Sequence, residues 1–281
     1  MLTIRELENI STQVRRHILR MVTEVQSGHP GGALGAADFL TALYFKIMKP
    51  DPMKFTTDGM GEDLFFLSNG HLSALWYSVL ARYGYFDLTE LSTFRKLNTR
   101  LQGHPATAEG LPGVRIASGS LGQGLSVAIG AALSKRLNND SHLVYVLLGD
   151  GELQEGQNWE AMMFAAARKV DNLIAVVDYN GKQIDGDVED VLPLGDLKSK
   201  VAAFGWKTIE MYGNNMQEVI ETIKKAQWYT GQEQPVMILM RTHMGFGVDF
   251  MLDNHAWHGS PPSKEQLVSA LEQLPVTLGD F

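Results

Sequence analysis

Two apolar runs end in oxygen-bearing side chains: "HLVYVLLGD" closes on Asp150, and "LIAVVDYN" closes on Asn180 thirty positions later. If both runs are strands with neighbouring carboxyl ends, a carboxylate and an amide oxygen face one point, where a nearby main-chain carbonyl can join them. Such an oxygen-only, incompletely filled shell suits Mg2+ or Ca2+ held together with phosphate oxygens. Gly149 and Gly151 flank the aspartate and let backbone approach a phosphate, while the N-terminus of a following helix favours negative charge. On spacing alone, "GDG" reads equally well as a turn and "YN" as the cap of a strand.

Four of the eight histidines, His29, His71, His104 and His258, adjoin a glycine, which leaves the imidazole room for a ligand; His17, His142, His243 and His255 do not. Imidazoles change charge near neutral pH and suit proton transfer at hydroxyl and carbonyl oxygens. Taken singly, each of these Gly-His pairs is explained as well by an ordinary turn. "GSLGQG" at 119–124 has glycine in its first, fourth and sixth places, which is not the dinucleotide fingerprint. A turn into the helical "LSVAIGAALSKRL" accounts for it equally well.

These residues need a scaffold. Leu7, Ile10, Val14, Ile18, Met21 and Val25 recur at steps of three and four, which predicts an amphipathic helix ending near Gly28 with that face in the core. A second helix is expected over "ALGAADFLTALYFKIM", then a short strand in "DLFFLSNGH" and a helix in "LSALWYSVLARYG". Residues 98–120 read as a long polar loop. "HLVYVLL" and "LIAVVDY" are apolar throughout, as parallel strands covered on both faces require, with a helix from Glu155 to Val170 between them. "WKTIEMY", "MQEVIETIKKAQWY" and "PVMILMRT" continue the alternation. The expectation is an α/β fold with a doubly wound, mostly parallel sheet, forming one domain over 1–281. Asp150 and Asn180 then lie at strand carboxyl ends, where such sheets bind ligands.

The balance of 24 basic against 32 acidic residues, net charge −8, argues against nucleic-acid or anionic-membrane binding. The absence of cysteine excludes disulfides, zinc thiolate sites and thiol nucleophiles, and a cytoplasmic location is expected. The charged N-terminal segment is neither a signal peptide nor a membrane span.

"GDGELQEGQNWEA" followed by "DYNGKQIDG" resembles the thiamine diphosphate signature in the form used by transketolases. "SGHPGGALG", "FLSNGH", "QGHP", "ASGSLGQG" and "AWHGSPP" occur in the order and near the spacing of a transketolase N-terminal domain. The resemblance implies the thiamine diphosphate-binding fold, diphosphate side. It implies that Asp150, Asn180 and the carbonyl of Lys182 hold the metal and that Gly151 contacts the diphosphate. Gly119 and Leu121 would border the thiamine rings, and Ile184 would pack against the cofactor. His29 and His104 would contact sugar hydroxyl and carbonyl groups with acid-base roles. His71 and His258 would be diphosphate-side ligands, His258 also sharing in proton transfer. Glu155 is either a solvated first-turn glutamate favoured by the helix dipole or, by the resemblance, part of a cofactor-side carboxylate network linking two active sites across a subunit interface. Ser120 stands where proline is frequent in the family, which bears only on loop stiffness, and Met244 and Phe246 stand where lysines are common, which suggests altered charge near the entrance.

The resemblance covers only the N-terminal part of a full-length transketolase. It therefore implies the N-terminal subunit of a split enzyme that uses thiamine diphosphate and Mg2+ or Ca2+. The chain would act on sugar phosphates with a separate pyrimidine-binding C-terminal subunit, forming an α2β2 heterotetramer. The alternatives are another thiamine enzyme subunit, of the 1-deoxyxylulose-phosphate synthase or 2-oxoacid dehydrogenase α kind, and a noncatalytic Mg-phosphate binding module. The histidine set disfavours the thiamine alternatives, and its retention beside the metal pair disfavours the module.

Overall fold

A computed structural model describes residues 2–281. Helix α1 (Ile4–Glu24) opens on a capping box in which Thr3 Oγ1 accepts from the Glu6 N–H at 3.2 Å and Glu6 Oε2 accepts from the Thr3 N–H at 2.7 Å. Backbone donors left over at the helix start are thereby paired. Leu7, Ile10, Val14, Ile18 and Met21 are buried, as their spacing predicts.

The continuous second helix expected over 33–48 is instead three pieces: α2 (Pro30–Gly35), α3 (Ala37–Ala42) and a π-turn over Leu43–Met48. Packing forces the first break. A Cβ on Gly35 would lie 2.9 Å from the His243 carbonyl oxygen, and the Gly35 carbonyl accepts from Asn214 Nδ2 at 2.8 Å. Contacts from distant chain, rather than helix propensity, bend this segment.

Five strands form one parallel sheet: β1 (Leu64–Leu67), β2 (Val144–Gly149), β3 (Leu173–Tyr179), β6 (Lys207–Tyr212) and β7 (Val236–Arg241), in the order β1-β2-β3-β7-β6. The short strands β4 (Lys182–Gln183) and β5 (Gly186–Asp187) make an antiparallel hairpin just after β3. Helix α4 (Ser73–Tyr83) follows β1, α5 (Gly124–Leu137) precedes β2, and α6 (Gly156–Ala167) joins β2 to β3. Helices α7 (Val188–Val191) and α8 (Leu197–Ala203) lead to β6, α9 (Met216–Trp228) joins β6 to β7, and α10 (Lys264–Gln273) follows.

The step from β2 to β3 runs one way across the sheet and the step from β6 to β7 runs back. Right-handed crossovers put α6 and α9 on opposite faces. In agreement, α6 packs with α5, and α9 packs with α1 and α3. The direction changes between β3 and β7, so a crevice opens beyond their carboxyl ends. Register sets what meets there, with Gly149 beside Asp178 and Tyr179 beside Arg241.

Candidate active site

A cavity of about 360 Å3 opens at this crevice, and every residue expected to hold metal, cofactor or sugar lines it: Asp150, Gly151, Glu155, Asn180, Lys182, Ile184, His29, His71, His104, His258, Gly119 and Leu121. At its floor, Asp150 accepts from the Gly151 N–H at 2.7 Å and the Gly181 N–H at 2.6 Å. Asn180 Nδ2 donates to Asp178 Oδ2 at 3.0 Å, and Asn180 Oδ1 accepts from the Lys182 N–H at 2.9 Å.

Sequence reasoning misses Asp178. It lies in β3, buried, and also accepts from the Thr242 hydroxyl just past β7. An acid inside an otherwise apolar strand is the available signal. Burial and the Asp178 charge push the Asp150 carboxyl up to about 7, and burial pushes Asp178 up to about 6. The nearby Lys182 ammonium pairs with Asp187 at 2.7 Å instead.

The four glycine-adjacent histidines come together above this floor. His29 lies 5.1 Å from His71, 5.9 Å from His258 and 6.2 Å from His104, ring centre to ring centre, and His71 lies 5.2 Å from His258. Burial, with the neighbouring His258, Arg95 and His104 charges, holds His29 down at about 4. His71, His104 and His258 are also lowered, chiefly by burial. His29 is therefore neutral at pH 7, and the shift of the other three favours their neutral forms. His29 Nδ1, His258 Nδ1 and Asn69 Oδ1 are buried without a partner.

The glycine loop is held by Glu152, a second residue that sequence reasoning misses, because there it is indistinguishable from any first-turn glutamate. Its buried carboxylate accepts from the Gly122 N–H at 2.9 Å, the Gly149 N–H at 3.0 Å and the Ser68 hydroxyl. Gly119, at φ +134, packs so close that a Cβ would lie 2.8 Å from the His104 ring. Glu155 is exposed at the N-cap position of α6 without a side-chain capping bond. Ile184, between β4 and β5, is 61% exposed.

Met244 and Phe246, the positions at which a difference in charge is expected, stand apart from the cavity lining. Met244 is fully buried against Gly31, and Phe246 packs on the Arg15 guanidinium at 4.9 Å. Among the described residues, no three histidine, aspartate or glutamate side chains converge as a protein-only metal centre, and no helix is long and apolar enough to cross a membrane.

A parallel α/β sheet with an acid-amide pair at its switch point and imidazoles above is the arrangement expected of a phosphate-anchored cofactor site at strand carboxyl ends. Residues 7–277 match the family described as transketolase, thiamine diphosphate binding domain. The chain belongs to the transketolase family. It is 37% identical over 270 residues to a 6-deoxy-6-sulfo-D-fructose transketolase subunit from Clostridium sp. strain MSTE9, covering 96% of each chain. It is 36% identical over 273 residues to an apulose-4-phosphate transketolase subunit from Phocaeicola vulgatus, covering 96% of this chain and 94% of that one. The crystal structure of transketolase from Campylobacter jejuni superposes with a TM-score of 0.88 at 33% identity, covering 97% of this chain and 43% of that one. The chain thus spans nearly the whole of those subunits but less than half of that longer enzyme.

Proposed function

We propose that this chain is the N-terminal subunit of a split transketolase. With a separate C-terminal subunit it moves a two-carbon ketol unit from a ketose phosphate to an aldose phosphate, using thiamine diphosphate and Mg2+ or Ca2+. The observation that carries this reading is the meeting of four histidines from separate segments with the acid-amide pair in one cavity.

The donor set fits a divalent cation. Asp150 and Asp178 are two buried acids raised toward neutrality, and a hard cation would relieve that cost. Asp150, Asn180 and the Lys182 carbonyl are oxygen donors of the right kind, with positions left for phosphate oxygens. Gly151 would allow the diphosphate close approach, with His71 and His258 as ligands on that side, and Gly119, Leu121 and Ile184, which line the same cavity, would border the rings. When bound, thiamine diphosphate supplies the nucleophilic carbon and the electron sink for breaking the bond beyond the ketose carbonyl. His29, neutral at pH 7, accepts a proton from a sugar hydroxyl, and His104 hydrogen-bonds the neighbouring oxygen. His258, whose ring centre lies 5.9 Å from that of His29, would share in proton transfer at the reacting centre.

The partner reading is supported by the face of α5 and α6. These helices pack together and leave Val127, Met163 and Phe164 exposed, while Glu155 at the start of α6 lines the cavity. Similar proteins carry names as subunits, which agrees with an α2β2 assembly in which Glu155 reaches across the interface. Their names also differ in the sugar, 6-deoxy-6-sulfo-D-fructose in one and apulose 4-phosphate in the other. The donor here is accordingly a ketose with an anionic end group.

The test is to combine the chain with its C-terminal partner and measure ketol transfer to ribose 5-phosphate from xylulose 5-phosphate, 6-deoxy-6-sulfo-D-fructose and apulose 4-phosphate. Transfer from at least one donor, lost on metal chelation and absent from the chain alone, is expected. Absence of transfer from all three, together with no metal-dependent cofactor binding, overturns the reading.

A further inference from the structure

Arg95 stands between the two segments that bear His29 and His104. Its Nη1 donates to Ser27 Oγ at 2.8 Å and its Nη2 donates to the Gly103 carbonyl at 3.2 Å. Ser27 lies two residues before His29, and Gly103 immediately precedes His104. The backbone aims the side chain into this position: Arg95 adopts φ +57, and its N–H donates to the Leu101 carbonyl at 2.9 Å. Gly103 makes room for it, because a Cβ there would lie 2.8 Å from the guanidinium carbon.

The guanidinium is half-buried, and its Nε is buried without a partner. A partly desolvated charge with an unused donor is costly. Both side-chain hydrogen bonds that hold it there go to histidine-bearing segments. Its charge also helps hold the His29 and His104 imidazoles below their usual range, after burial and, for His29, the His258 charge.

We infer that Arg95 is a positioning residue for the His29/His104 pair, its planar fork tying the segment before one to the segment before the other and setting the 6.2 Å separation of their rings. What the pair does rests on the ketol-transfer reading; how it is held rests on these hydrogen bonds. A lysine cannot replace the fork, since an ammonium on a flexible stem reaches one acceptor and leaves the other segment untied.

In the two-subunit assembly, Arg95→Lys keeps the charge and loses the fork. Its kcat should fall by about fivefold or more through misplacement of the histidines, while thiamine diphosphate affinity stays within about twofold, because uniform binding is untouched. Gly103→Ala displaces the guanidinium by an independent route and should give the same split. In Arg95→Ala, added guanidinium ion should restore part of kcat where ammonium does not. A smaller fall in kcat, or cofactor affinity lost in parallel with it, overturns the inference. If the unsubstituted assembly transfers no ketol unit, the functional reading fails, and the clamp is decided separately by NMR of the chain. Displaced His29 and His104 ring signals in Arg95→Lys support it, and unmoved signals overturn it.

Discussion

Asn180 Nδ2 donates to Asp178 Oδ2 at 3.0 Å, so the aspartate that opens "DYNGKQIDG", a residue with no role assigned from the sequence, orients the amide of Asn180. With Nδ2 committed, Oδ1 is the atom left for the Lys182 N–H and for a cation. Asp178→Ala should lower metal-dependent thiamine diphosphate affinity by about 10- to 100-fold, the usual cost of losing a group that orients a metal ligand. Calorimetric titration with Mg2+ checks this, and undiminished affinity would show that the amide needs no such support.

The histidines separate by depth. His71 is held between His29 and His258 at 5.1 and 5.2 Å, whereas His104 is exposed on the outer wall against Gly119. His104→Ala should reduce turnover by about 100-fold or more, as loss of an acid-base group does, and leave cofactor binding nearly unchanged. His71→Ala should weaken the cofactor itself. The reverse pattern in paired rate and binding measurements would mean that these roles are exchanged.

A histidine outside the site governs acid stability. Burial and the Arg82 charge push His17 down to about 3, and its Nε2 accepts from Arg82 Nε at 2.9 Å. The ordinary histidine value is 6.5. A folded value below the unfolded one means that the stability from keeping His17 neutral is complete above pH about 6.5 and disappears as pH falls through about 3. His17→Gln, which can still accept from Arg82, should flatten this acid loss. Melting temperatures of both forms between pH 7 and pH 4 should converge toward the acid end, and parallel curves would contradict the assignment.

The exposed face of α5 and α6 bears on assembly rather than on the fold. Phe164→Glu places a charge on a side chain that is 45% exposed, so the melting temperature of the chain should change little. Binding of the C-terminal subunit should weaken by about tenfold or more if the phenylalanine is buried in that interface. Analytical ultracentrifugation of the mixed subunits reads the difference, and unaltered association would place the interface elsewhere.

Why Asp150 and Asn180 are legible in the sequence and Asp178 and Glu152 are not is a matter of range. Strands β2 and β3 are short, β-branched and, Asp178 apart, apolar, so burial on both faces follows from composition over six or seven residues. Oxygen ligands just past such strands are a local pattern. The four Gly-His pairs are local as well, and so is the face of α1. Strand order is not local: β7 enters between β3 and β6, and the crevice exists because of that insertion. Asp178 acquires its role from Thr242, 64 positions away, and Glu152 from Ser68, 84 positions away. The break after Gly35 comes from the His243 carbonyl, which no helix propensity contains. Sequence alone therefore determined which chemical groups are present, which segments form the main sheet strands and the long helix α1, and which family motifs they carry. Tertiary structure decided which distant donors reach each acid, how far burial moves its protonation, and which histidines share a cavity, because desolvation and hydrogen bonding depend on neighbours in space rather than along the chain.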